Sequence, residues 1–155
     1  MDLMNLRRGM LNDSVMQGNK FYPDTITTIS NSIYSVDAGK NYIIINRYSS
    51  EGSSYYGRTK QPLSDLKLTP GKTYTLKAKI TDFSQSNLTG YIYIADSNSS
   101  IKAQSQQLDS LSIGSKLEVT FIYDPDTMKE LSFYMNRGFS VSVGTYIKYS
   151  DITIL

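Results

Sequence analysis

The chain has 155 residues, 39% hydrophobic residues and a net charge of +2, which suits one globular domain with its own core. Its basic residues are scattered singly and its apolar run Ile43–Ile45 is short, so the sequence predicts neither nucleic acid nor membrane as a partner. It has no Cys and no His, which excludes disulfides, thiol chemistry, histidine triads and the usual zinc sites.

The N-terminal part of the chain begins without a clear pattern. Residues 1–20 lack the apolar stretch of a secretory signal, and we expect an irregular attachment segment at the start of a single domain over residues 1–155. Thr25–Ile29 and Ser32–Val36 alternate with period two and predict short strands. A turn is predicted over Asp37–Lys40.

Two further strands are predicted before residue 60. Asn41–Tyr48 is a strong strand in which Ile43 and Ile45 should point inward. Tyr55–Thr59 predicts a short strand, and Gly57 within it marks a bulge or a close approach of another chain segment.

The stretch Leu68–Ile80 is the most regular in the chain. Pro70 and Gly71 fit the two central positions of a type II turn, because proline fixes φ and glycine accepts a positive φ. A strand follows at once, with one face apolar and the other rich in Lys and Thr. The inward residues are Tyr74, Leu76, Ala78 and Ile80. We expect this strand to lie inside a sheet.

The second half of the chain repeats the strand-turn pattern. The predicted strands are Gly90–Ala95 with its hairpin partner Ile101–Ser105, Lys116–Tyr123, Glu130–Met135, Phe139–Val143 and Gly144–Leu155. No window of helical length has a clean period of 3.6 residues. The sequence therefore predicts an all-β fold: a two-sheet antiparallel β-sandwich of about 8–10 strands.

Three stretches in order resemble the jelly-roll carbohydrate-binding modules: Asn41–Gly57, Leu68–Ile80 and Gly144–Ile154. In that group a strand of the type L-x-P-G-K-T-Y-T-L is followed by a T-F-T strand and an F-Y-I-D-D-V ending. Here Val119–Phe121 and Leu131–Tyr134 stand in the matching order. The resemblance implies a jelly roll, but many copies of this fold are structural.

The opening Asn5–Arg8 resembles the start of the copies found in bacteriophage tail, baseplate and fibre proteins. Family members often hold a structural calcium ion at the C-terminal motif, where two Asp are common. This chain has Ser150 and Asp151 there, so we expect no cofactor and leave a structural calcium ion open. Family sugar sites also frequently use Trp, which this chain lacks.

Outward-facing tyrosines are the candidate sugar-binding residues. Tyr91, Tyr93 and Tyr134 should lie opposite the core, where a pyranose could stack its C–H face on an aromatic ring. Tyr91 and Tyr93 would be two strand rises apart, roughly 7 Å. The candidate polar neighbours and rim contact are Arg58, Lys79, Asp82, Asn136 and Tyr56. The alternative is that each Tyr is simply a good strand residue.

Catalysis is not expected, because no constellation of residues fits the geometric roles of an active site. Among the three glutamates, Glu118 and Glu130 could face each other as a glycosidase pair, but solvated strand charges are the usual case. The oxygen-rich segments at Asp96 and Asp124 lack the Gly and Glu of a calcium loop, so we expect ordinary turns.

The sequence thus favours a non-catalytic carbohydrate-binding module of a phage virion that binds host cell-wall or surface polysaccharide. Such a protein would assemble in the host cytoplasm, face the exterior of the virion and contact other virion proteins. The alternative is a structural decoration or assembly protein whose tyrosines cover a protein partner, since Tyr is also enriched at interfaces. A bacterial surface adhesin and a homo-oligomer stay open.

Overall fold

The computed structural model describes residues 26–28, 34–39, 41–49, 56–136 and 142–155. Within them the chain forms ten β-strands and a short 3-10 helix at Leu63–Leu66. The strands are β1 (Thr27–Thr28), β2 (Tyr34–Gly39), β3 (Tyr42–Arg47), β4 (Tyr56–Pro62), β5 (Thr73–Phe83), β6 (Thr89–Ala95), β7 (Ile101–Gln104), β8 (Ser115–Ile122), β9 (Glu130–Asn136) and β10 (Tyr146–Ile154). No helix in these ranges is long and apolar enough to span a membrane.

The strands form two five-stranded antiparallel sheets. The order in the first sheet is β1-β4-β9-β6-β7, and the order in the second sheet is β2-β3-β10-β5-β8. Neighbours in each sheet are mostly distant in sequence, so both sheets are assembled from long-range pairings. The predicted all-β, two-sheet architecture is confirmed.

The core lies between the inner faces of the two sheets, where alternate residues of every long strand are buried. In β5 the buried residues are Tyr74, Leu76, Ala78 and Ile80, as the alternation predicts. Ile43 and Ile45 of β3 are also buried, as predicted. In β8 and β9 the inward positions follow the same rule, which leaves the intervening residues on the outer faces.

The turn before β5 has the predicted geometry. Gly71 has φ +81°, and the Lys72 N–H donates to the Thr69 carbonyl at 3.2 Å, which closes a turn with Pro70 and Gly71 at its centre. The strand that follows lies between β10 and β8, so its predicted interior position in a sheet is confirmed.

Gly57 lets β4 pass close to Tyr34 of β2. A Cβ atom at Gly57 would lie 2.5 Å from Cδ1 of the Tyr34 ring, a distance that real Cβ contacts do not reach. The pairing of β4 with β9 keeps one register across this point. Of the two predicted meanings of Gly57, the close approach is therefore the correct one, because only glycine leaves room for the buried ring.

Several predicted boundaries differ from the structure. β4 runs on from Thr59 to Pro62, and β10 begins at Tyr146 rather than at Gly144. β2 continues through the predicted turn to Gly39, which pairs with Tyr42 in a tight hairpin. β5 runs on to Phe83, because its partner β10 offers hydrogen bonds beyond the apolar alternation. Within the predicted strand Phe139–Val143, residues 142–143 are not in a strand, and the rest lies outside the described residues, as do residues 1–20.

Candidate functional site

The outer face of the first sheet collects most of the predicted site residues. β9 lies between β4 and β6, and register places Tyr134 directly beside Arg58 on one side and Tyr91 on the other. Tyr56 pairs with Asn136 in the neighbouring row. Since side chains alternate along a strand, these residues all project from the same face.

The four tyrosines of this face, Tyr56, Tyr91, Tyr93 and Tyr134, form one continuous aromatic surface, which we call the tyrosine platform. Tyr56 stacks on Tyr134 with ring centroids 5.6 Å apart and planes at 16°. Tyr91 lies 4.8 Å from Tyr134 and 5.4 Å from Tyr93, with tilted planes. These distances are typical of favourable aromatic pairs, so the rings hold one another in place.

The rings differ in how much solvent they meet. Tyr56 is 40% exposed, Tyr91 and Tyr134 are half-buried, and Tyr93 is only 6% exposed. The expectation that Tyr91 and Tyr93 stand about two strand rises apart on a wet face is therefore corrected. Their rings lean together to a centroid separation of 5.4 Å, because contact between aromatic faces removes apolar surface from water. Tyr93 forms the floor of the platform.

Burial raises the pKa values of three platform phenols, those of Tyr91, Tyr93 and Tyr134. It raises the pKa of Tyr91 to about 12, with a smaller contribution from the neighbouring phenols of Tyr134 and Tyr93. The pKa values of Tyr93 and Tyr134 are raised as well, again mainly by burial. At neutral pH the phenols of Tyr91, Tyr93 and Tyr134 are uncharged, so their hydroxyls can donate and accept hydrogen bonds.

Arg58 lies under the platform rather than on it. Its side chain is 7% exposed. Nη1 donates to Ser132 Oγ at 2.9 Å, Nη2 donates to Ser99 Oγ at 3.2 Å, and the guanidinium carbon lies 6.0 Å from the centroid of the Tyr93 ring. The side chain thus joins β4 to β9 and to the loop after β6, and it fixes the floor of the platform.

Glu130 provides the counter-charge for this arginine. One carboxylate oxygen lies 3.6 Å from Arg58 Nη1, and the other lies 3.3 Å from Nζ of Lys60, whose side chain is half exposed. Lys60 and Ser132 are not among the site residues predicted from the sequence. Alternation from Tyr56 through Arg58 could have found Lys60, and alternation back from Tyr134 could have found Ser132. Only the contact of Ser132 with Arg58 needed the register between strands.

Asn136 borders the exposed side of the platform. Its Nδ2 donates to the Tyr134 hydroxyl at 3.1 Å. An amide beside an aromatic ring supplies both a donor and an acceptor at the rim, which is the arrangement that a ligand rich in hydroxyl groups requires.

Two predicted site residues, Lys79 and Asp82, lie elsewhere. Both belong to β5 of the second sheet, so the whole core separates them from the tyrosine platform. Lys79 Nζ lies 3.6 Å from Asp151 Oδ2, and Asp82 Oδ1 accepts a hydrogen bond from the Tyr146 hydroxyl at 3.1 Å. Lys79 was predicted on the outward face of its strand and Asp82 in the loop after it, whereas the irregularity in the pairing of β5 with β10 places Asp82 beside Lys148. The sequence could not tell which sheet carries β5.

The structure also separates Glu118 from Glu130. Glu118 projects from the outer face of β8 in the second sheet, and Glu130 projects from the outer face of β9 in the first sheet. They therefore cannot flank one glycosidic bond, which a glycosidase pair must do.

The oxygen-rich segments are turns, as predicted. Asp96 Oδ1 accepts the N–H groups of Asn98 and Ser100, both at 2.9 Å, and these bonds lower the pKa of Asp96. Asp124 likewise caps its own turn by accepting from the Asp126 N–H at 2.9 Å.

The C-terminal motif offers little to a calcium ion. Asp151 pairs with the ammonium group of Lys79, and Ser150 Oγ is 2.6 Å from Thr81 Oγ1. Across the described ranges, no three acidic, Cys or His side chains come together as a metal site. An ammonium ion beside the carboxylate opposes a second cation there, so these residues do not fit the calcium site that the resemblance implies.

Comparison with solved structures identifies the fold. A family 4 carbohydrate-binding module (CBM4) aligns with a TM-score of 0.55 at 17% identity, covering 85% of this chain and 86% of that chain. The C-terminal family 22 module of Clostridium thermocellum Xyn10B aligns with a TM-score of 0.51 at 7% identity, covering 89% and 94%. The fold is the jelly roll of carbohydrate-binding modules.

A third structure places this fold next to a catalytic domain. The CBM22-1–GH10 part of Clostridium thermocellum endo-1,4-beta-D-xylanase 10B, complexed with xylohexaose, aligns with a TM-score of 0.51 at 10% identity. The match covers 88% of this chain and 27% of that chain. No protein-family model and no curated protein matches the sequence.

Proposed function

We propose that this protein is a non-catalytic carbohydrate-binding module that recognises polysaccharide on the tyrosine platform. The observation that carries the proposal is the contact of four tyrosine rings in one continuous surface, with Tyr56 and the half-buried Tyr91 and Tyr134 open to solvent. The jelly-roll fold that it shares with carbohydrate-binding modules supports the same function.

The chemistry of the platform suits a sugar. A pyranose has a C–H face that packs on an aromatic ring, while its hydroxyls need hydrogen-bond partners at the rim. Asn136 and Lys60 lie at that rim, and the hydroxyl of Tyr134 accepts a hydrogen bond from the Asn136 amide there. Arg58 acts from beneath as a positioning residue, since its side chain is enclosed.

The proposed setting is the exterior of a phage virion, where the module binds host cell-wall polysaccharide. The resemblance of the opening Asn5–Arg8 to the start of phage tail, baseplate and fibre copies of this fold supports this setting. An open platform of this kind binds one sugar chain weakly. Display of many copies on one particle would raise the overall avidity by several orders of magnitude without any new contact.

The test removes two of the three solvent-facing rings, Tyr56 and Tyr91, and leaves Tyr134 and the floor residue Tyr93 in place. In Tyr56→Ala/Tyr91→Ala, binding to bacterial cell walls and to insoluble xylan should be lost in a pull-down assay, while the wild type is retained by at least one of the two. Tyr48→Ala is the matched control, because Tyr48 is half exposed and lies beyond β3 of the second sheet. It should bind as the wild type does.

Two outcomes would contradict the proposal. One is retention of the folded double variant at the wild-type level. The other is failure of the wild type to bind either polysaccharide. In the second case, stable association with a virion protein would favour the structural alternative, in which the platform is buried against a protein partner.

A further inference from the structure

The outer face of the second sheet carries a depression of about 430 Å³, which we call the polar groove. Its lining residues come from β2, β3, β5 and β10: Ser35, Asp37, Ile44, Asn46, Asp82 and Tyr146. Register brings them together in two rows, since Asn46 pairs with both Ser35 and Tyr146, and Ile44 pairs with Asp37. Its volume falls in the range of small-molecule sites.

The groove is open because Lys148 turns away from it. Register places Lys148 between Ile44 and Asp82, where an extended lysine would cover both. Instead its ammonium group lies 5.3 Å from the centroid of the Tyr42 ring, in the next row along the sheet. This cation–π contact leaves the apolar side chain of Ile44 and the carboxylate of Asp82 facing the groove.

The polar groups of the groove can recognise hydroxyls. Asp82 Oδ1 accepts the Tyr146 hydroxyl at 3.1 Å, which fixes the ring and raises the pKa of that phenol. Asp37 offers a second carboxylate, and Asn46 offers an amide. Two carboxylates repel an anionic ligand, whereas a neutral sugar brings several O–H donors and a C–H face for Tyr146 and Ile44.

We propose that the polar groove is a second binding site, on the opposite face of the sandwich from the tyrosine platform, for a short segment of a neutral glycan. This site does not depend on the platform, because the core separates the two faces and no groove residue belongs to the first sheet. A module with two such faces can crosslink glycan chains, which a single-faced module cannot do.

The experiment titrates ¹⁵N-labelled full-length protein with xylohexaose and, separately, with cellohexaose. We expect amide shifts at Ser35, Asn46, Asp82 and Tyr146. Removing the carboxylate charge in Asp82→Asn should weaken this binding about tenfold, the effect of losing a hydrogen bond to a charged group. Lys116→Ala is the control, because Lys116 lies on the same face outside the groove.

The variant Tyr56→Ala/Tyr91→Ala separates the two sites, because it should keep the groove shifts even where platform shifts disappear. The proposal fails if neither hexasaccharide shifts the groove amides. It also fails if folded Tyr146→Ala and Asp82→Asn both bind at this face with wild-type affinity. A loss of platform binding alone bears on the proposed function and leaves the groove result intact.

Discussion

The two outer faces of the sandwich follow the same strand alternation and have opposite characters. On the first sheet, Tyr56, Tyr91, Tyr93 and Tyr134 pack against one another, and the ion pair of Arg58 with Glu130 on the same face is largely buried. On the second sheet the outward residues are mainly Lys, Asp, Ser and Thr that are at least partly exposed. Tyr42 and Tyr146 project from the same face but lie in different rows of the sheet, opposite Ser150 and Asn46. The outer face of the first sheet is therefore a packed cluster of aromatic rings, and the outer face of the second sheet is a mostly solvated polar surface.

The difference shows that pointing outward and being exposed are separate properties. Tyr93 points away from the main core and is nevertheless 6% exposed, because neighbouring rings and Arg58 cover it. Polar side chains on the other face cannot cover each other in this way, since each must keep its hydrogen bonds to water or to a partner. Substitutions on the two faces and in the core between them can measure this contrast.

Leu76→Ala should give the largest loss of unfolding free energy, because Leu76 lies in the core between the two sheets. Leu76 is buried between the sheets, so its truncation should lower the free energy of unfolding by about 2–5 kcal/mol. Urea unfolding followed by circular dichroism measures this loss. A change below about 0.5 kcal/mol would place Leu76 outside the core.

Tyr93→Ala and Tyr146→Ala compare the faces directly. We expect Tyr93→Ala to cost about 3 kcal/mol, as for a buried aromatic ring, because Tyr93 supports two other rings and Arg58. Tyr146→Ala should cost less than about 1 kcal/mol, because its ring is partly exposed and its hydroxyl bond is at the surface. If urea unfolding shows equal losses of unfolding free energy for the two variants, the two faces do not differ in how far their tyrosines are buried.

Much of the fold could be predicted because alternation and turn chemistry are local. The alternation from Tyr74 to Ile80 predicts the inward face of β5 from one strand alone, and Pro70 and Gly71 predict the turn before it. The order of strands in each sheet is not local. The placement of Asp82 and Lys79 on the second sheet follows from the pairing of β5 with β10 and β8, which no single stretch of sequence contains.

The candidate site, like the fold, could be predicted from the sequence only in its local features. Tyr91, Tyr134, Tyr56 and Asn136 could be placed on an outer face, and the structure brings them together. The burial of Arg58 and Tyr93 could not be predicted, because it depends on Ser132, Ser99 and Glu130 from other elements. Their roles as ligand contacts stay predictions.

Alkaline pH should lower the stability of the fold through the phenol of Tyr91 in the tyrosine platform. Below about pH 10 the phenol of Tyr91 is neutral in both the folded and the unfolded chain, so its contribution to stability is fully present. Its folded pKa is raised to about 12, so stability falls as pH rises from about 10 toward 12, where only the unfolded chain ionises readily. Urea unfolding measured between about pH 9 and pH 12 should show a shallower decline for Tyr91→Phe than for the wild type. Parallel profiles would argue against a buried phenol at this position.

Lys116→Glu should slightly raise the free energy of unfolding, through a charge pair on the outer face of the second sheet. Lys116 lies directly opposite Lys79 in the pairing of β5 with β8, and like charges in such pairs are destabilising. A glutamate there would attract Lys79, so we expect a gain of about 0.2–1 kcal/mol in unfolding free energy at low salt, shrinking as salt is added. Lys102→Glu serves as the control, since Lys102 already lies 3.7 Å from Asp96 and should lose stability or stay unchanged. A salt-independent gain would show that charge is not the cause.

Calcium should have the smallest effect of all, because an ammonium group already lies beside the carboxylate of Asp151 in the C-terminal motif. The ammonium group of Lys79 is 3.6 Å from Asp151 Oδ2, and Ser150 replaces the second carboxylate that the family motif often carries. We expect the melting temperature to change by less than about 2 °C when calcium replaces EDTA, which corresponds to less than about 1 kcal/mol for a chain of this size. Lys79→Ala removes the competing cation and tests the argument: if the ammonium group is what opposes the metal, this variant should gain calcium-dependent stability that the wild type lacks. Magnesium at the same concentration controls for ionic strength. A calcium-specific rise above about 8 °C in the wild type would show instead that a complete metal site exists.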